Sequence, residues 1–179
     1  SPSRGLGDVY KRQLLSRAGL PQLFAWYTSN DPKDPKNYTF FLYQSGLGLP
    51  DESYYREEKH EAACAAYVEH IARMFELTGL AEGFGLTPEQ AAQLVFTHES
   101  ELARLHWNVV ENRDAEATYN PYQATELDEK FPGFPFSQWL LALGADPETL
   151  GQVIVAQPSF FEGAAKPVSY THLTLPTIL

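Results

Sequence analysis

In the stretch THESELARLHW (97–107), His98 and Glu99 stand together as the first half of a metal-hydrolase pattern. In H-E-x-x-H the second histidine follows one helical turn later, so both imidazoles reach one zinc ion while the glutamate serves as general base. Leu102 occupies the place of that second ligand. The next histidine, His106, lies two turns on, roughly 12 Å along the axis, whereas zinc ligands sit about 2 Å from the metal. His98, Glu99 and His106 therefore read as helix rather than as a metal centre. A second combination is HEAAC (60–64), where His60 and Cys64 are one turn apart with Glu57 near the same face. Two helical ligands and a carboxylate could begin a zinc site. The neighbouring Ala62, Ala63, Ala65 and Ala66 favour the plainer reading, a closely packed helix in which the cysteine is a small apolar residue.

The carboxylate pairs Glu57/Glu58, Glu99/Glu101 and Asp128/Glu129 are of the kind carried by any solvated helical face in an acidic chain, and ENRD (111–114) reads as a salt-bridged helix end. The chain has no G-x-S-x-G elbow, no G-x-x-x-x-G-K-[ST] phosphate loop and no G-x-G-x-x-G. The residues alone thus assign no catalytic residue and no metal ligand, and they leave substrate-binding residues unknown.

The elements that would carry these side chains are set by periodicity and punctuation. LFAWYTS (23–29) and YTFFLYQ (38–44) are aromatic and β-branched runs on either side of NDPKDPKN, which predicts a hairpin with a long loop. SGLGLP (45–50) breaks the extended pattern, and Asp51 or Ser53 can cap the next helix. Between Glu52 and Thr78 there is no proline or glycine, and Tyr67, Ile71, Met74 and Phe75 recur at helical spacing, so the pattern predicts one helix over 52–78, stopped by Gly79. A second helix is predicted over 88–111, opened by TPEQ with Thr87 as cap, Pro88 at the first turn and Gln90 closing a capping box. Its apolar stripe is Ala91, Leu94, Val95, His98, Leu102, Leu105 and Val109, which places His98 at the edge of a core. A short helix after Pro121, a helix at FSQWLLALG (136–144) capped by Ser137, and a β-branched run QVIVAQP (152–158) able to join the hairpin complete the expected elements. The expected fold class is mainly α, multi-helical, with a small antiparallel β-hairpin.

With 179 residues, 44% of them hydrophobic, the chain can bury one substantial core. Its formal charge of −10 disfavours nucleic acid and anionic lipid as partners. No apolar run approaches the roughly 18 residues of a spanning helix, and no signal-peptide pattern opens the chain. The one cysteine, Cys64, has no internal partner, which fits a reducing compartment or a bacterial protein without bridges. Residues 1–13 (SPSRGLGDVYKRQ) and 168–179 (VSYTHLTLPTIL) lack the periodicity of the interior and read as non-native tails, so His172 belongs to no site. Setting them aside removes Arg4, Lys11 and Arg12 but only Asp8 among the acids, so the acidity belongs to residues 14–167.

In order, SGLGLPDESYY (45–55), EAACAAY (61–67), HESELARLHW (98–107), RDAEATYN (113–120) and VIVAQPSFF (153–161) resemble the N-terminal, non-catalytic region of the neprilysin-like zinc endopeptidases, a family that includes neprilysin, the endothelin-converting enzymes and bacterial oligopeptidases. The resemblance spans residues 14–167. It implies part of a larger two-lobed peptidase acting on oligopeptides, with this part building the helical lobe that faces a catalytic lobe of the same chain across an enclosed cavity. It also implies that Glu99, Glu101, Leu102 and Ala103 are scaffold. Zinc is implied for the complete enzyme and none for this segment. The family's H-E-x-x-H, its downstream glutamate ligand and its N-A-[YF] stretch would all lie beyond Pro167. Animal members carry a second cysteine shortly before the position of Cys64, and YYREEKHE (54–61) holds none. The alternative is a stand-alone acidic interaction module without catalysis.

Overall fold

The computed structural model describes residues 23–165; both expected non-native tails, with His172, lie outside the described residues. The described residues fall into two compact units, one of residues 23–46 with 110–165 and the other Leu47–Val109.

The first unit is built on a four-stranded sheet in the order β1-β2-β4-β3: β1 (Phe24–Asn30), β2 (Tyr38–Gln44), β3 (Pro121–Gln123) and β4 (Gln152–Val155). The expected hairpin is present, with Tyr27 opposite Phe41 and Phe24 opposite Gln44. The four-stranded mixed sheet around it overturns the expectation of a mainly α fold with a small antiparallel β-hairpin, although the run at 152–155 joins the hairpin as expected. β4 runs parallel to β2, pairing Phe40 with Val153 and Leu42 with Val155, and β3 pairs antiparallel with β4. Parallel neighbours need a crossover connection, and here it takes in the whole second unit, a separation that local periodicity does not show. The uninterrupted apolar runs Phe40-Phe41-Leu42 and Val153-Ile154-Val155 are buried along their full length, as befits central strands covered on both faces. Pro121 opens the edge strand β3, and the short helix expected after it follows at Ala124–Glu126 and Leu127–Lys130. Proline lacks the N–H for an interior ladder and is tolerated at the first residue of an edge strand.

Short helices α3 (Leu127–Lys130), α4 (Phe136–Leu143), α5 (Pro147–Leu150) and α6 (Pro158–Ala165) complete this unit. α4 matches its predicted span and ends at Gly144, but Pro135, not Ser137, holds the cap position. Phe24 meets Phe134, Phe136, Trp139 and Phe161 at ring-centroid distances of 5.0–5.8 Å. Asp31, only 7% exposed, ties the hairpin loop to the rest. It accepts hydrogen bonds from the Lys33 N–H (2.8 Å), the Tyr119 hydroxyl (2.9 Å) and Gln152 Nε2 (3.3 Å). Gln157 joins strand to loop by accepting from the Gln44 N–H at 2.9 Å and donating to Asn112 Oδ1 at 2.8 Å.

The second unit contains two long helices, α1 (Glu61–Thr78) and α2 (Pro88–Ala103). Ile71, Phe75, Ala81, Ala91 and Ala92 form its buried core, flanked by Tyr67, Val68, Leu86 and Val95. The capping box at Thr87 and Gln90 forms as expected, and Gly79 closes α1 at φ 65°. Both helices are shorter than the sequence pattern predicts. Residues 52–60 are two 3-10 turns around an extended Glu57, because Tyr55 is drawn to a partner on α2 instead of continuing a helical face. α2 stops at Ala103, where Leu105 and His106 bond back to the carbonyls of Leu102 and Ala103. Asn108, Val109 and Val110 are weak helix formers, and Val109 is 45% exposed rather than part of the buried stripe.

Candidate functional site

The carboxylate of Glu99, on the face of α2 turned to α1 and to the glycine turn, gathers three hydrogen bonds in the second unit. Oε2 accepts from the Tyr55 hydroxyl at 2.6 Å and from the Gly48 N–H at 3.3 Å, and Oε1 accepts from the Tyr67 hydroxyl at 2.9 Å. Tyr55 also bonds back through its oxygen to the Leu49 N–H at 3.1 Å, and its ring stacks on Phe96 with centroids 5.6 Å apart. Burial, reinforced by the bond to Glu99, pushes the Tyr55 phenol far above its ordinary range; burial and the Glu99 charge do the same for Tyr67. Both therefore remain protonated donors. Gly48 is required by space: a Cβ there would stand 1.7 Å from the Tyr67 oxygen and 2.4 Å from its ring carbon.

One carboxylate thus ties GLGLPDESYY, EAACAAY and HESELA together. In the sequence, Glu99 and the tyrosines are separate features, and their convergence is not read there. The signal present was that these three stretches hold all four partners, Gly48 and Tyr55 in the first, Tyr67 in the second and Glu99 in the third. Chemically the arrangement is a clamp: both carboxylate oxygens are engaged, and the groups around them are donors rather than nucleophiles or metal ligands.

The other candidate residues are dispersed. His98 is half-buried, and its Nδ1 is buried without a hydrogen-bond partner. Desolvation lowers its pKa, against an opposing pull from Glu101 and Glu99. His106 lies beyond the end of α2. His60 precedes α1 and stacks on the Tyr54 ring at 3.9 Å, while Cys64 Sγ donates to the Tyr54 carbonyl at 3.0 Å, so the pair turns to Tyr54 and not to a shared ion. Glu57 pairs with Lys59. Asp128 accepts from the Ser137 N–H at 2.9 Å, and Asp114 caps the turn after ENRD by accepting from the Glu116 and Ala117 N–H groups.

Residues 6–176 match the N-terminal model of Peptidase family M13. The chain belongs to Peptidase family M13. Among solved structures it is similar to the zinc metalloprotease ZMP1 of Mycobacterium tuberculosis in complex with inhibitor, with 38% identity and a TM-score of 0.78 over 88% of this chain and 24% of that one. Among characterised proteins it is 28% identical to Neprilysin-3 of Drosophila melanogaster over 65% of this chain and 14% of that protein. It is also 28% identical to endothelin-converting enzyme 1 of Rattus norvegicus over 68% of this chain and 16% of that protein. The chain therefore spans about one seventh of these curated relatives and about a quarter of the solved one.

The described residues of this M13 chain do not fit a zinc ion. Leu102, 5% exposed, fills the position one turn after His98, and among the described residues no three His, Cys, Asp or Glu side chains are grouped as ligands. Among the described residues, no helix is long and apolar enough to cross a membrane.

Proposed function

We propose that this chain is part of the non-catalytic lobe of a zinc metalloendopeptidase that hydrolyses oligopeptides, and that it helps to enclose the cavity in which substrate meets a catalytic lobe of the same polypeptide. The observation that carries this reading is the match of residues 6–176 to the N-terminal model of family M13. The Glu99 clamp supports it: a carboxylate spent on three structural donors holds a scaffold in shape and is not itself free to serve as acid or base in hydrolysis. Zinc belongs, on this reading, to the remainder of the enzyme, and peptide is its substrate.

The experiment compares the 179-residue chain with the same chain extended through the continuation of its reading frame, using an internally quenched oligopeptide. The expected result is chelator-sensitive cleavage by the extended protein and none by the 179-residue chain. Cleavage by the short chain would refute the proposal, and a natural stop soon after residue 167 would refute it in favour of the acidic interaction module.

A further inference from the structure

We draw no further inference here: the strongest candidate, the open groove between α1 and α2 lined by Cys64, Val68, Ala72 and Phe96, carries nothing, because nothing in the structure shows what covers it.

Discussion

Gly48→Ala should destabilise the protein, against the usual sign for such a change. Gly48 is not held at positive φ, and at such a position an alanine ordinarily stabilises by about 0.4–1 kcal/mol through the unfolded state. The added Cβ, however, falls 1.7 Å from the Tyr67 oxygen, so the ring must swing away and the 2.9 Å bond to Glu99 must open. A hydrogen bond to a charged group contributes about 1.5–3 kcal/mol. Set against the unfolded-state gain, the net loss should be about 1–2 kcal/mol. Tyr67→Phe removes the same bond without crowding the turn and should lose about 1.5–3 kcal/mol. Because both changes break one interaction, the double variant should fall short of the sum of the singles by about 1 kcal/mol or more. Urea unfolding followed by circular dichroism measures all three. A Gly48→Ala protein as stable as the parent, or strictly additive losses, would show that the tyrosine does not sit over the glycine.

Leu102→Ala should lose about 2–5 kcal/mol as a buried leucine on α2; a urea-derived loss below about 1 kcal/mol would mean that this face is not buried. His98 should give the fold a pH dependence. Desolvation sets its folded pKa below the ordinary 6.5, so stability is full above pH 6.5 and declines as pH falls from there toward the folded value. Melting temperatures measured from pH 7.5 down to about 5 should show a shallower decline for His98→Asn, and an unchanged slope would refute the assignment. Asp31 is held below its ordinary pKa chiefly by the Lys33 N–H, with the Tyr119 hydroxyl adding to it, so its contribution is present above pH 3.8 and lost as pH falls further. Asp31→Asn should lower the midpoint at neutral pH and flatten the acid limb. Deleting residues 1–13 and 168–179 should shift the melting temperature by less than about 2 °C, an effect worth well under 1 kcal/mol; a large drop would make those tails part of the fold.

The local signals decided what local chemistry can decide. Thr87, Pro88 and Gln90 specified the start of α2 because a capping box needs only residues three apart. Gly79 and Gly144 specified helix ends, and the long-loop hairpin came from two aromatic runs around prolines and aspartates. The missing second histidine was likewise legible, since one residue at position 102 settles whether a helical turn can present two imidazoles. The sheet order was decided at long range. VIVA reads as a buried strand by itself, but its parallel pairing beside Phe40-Phe41-Leu42 is a contact across more than a hundred residues, and no period in the chain encodes which neighbour an apolar run will choose. Tertiary contacts also trimmed the helices: Tyr55 leaves the helical pattern of 52–60 to reach Glu99, and α2 turns at Ala103 although Leu105 and Val109 continue its stripe. The sequence could name Gly48, Tyr55, Tyr67 and Glu99 one at a time, but only the packing of the glycine turn, the 3-10 turn and α1 on α2 brings three donors to one carboxylate, because hydrogen bonds act over about 3 Å and the residues that make them lie up to 51 positions apart.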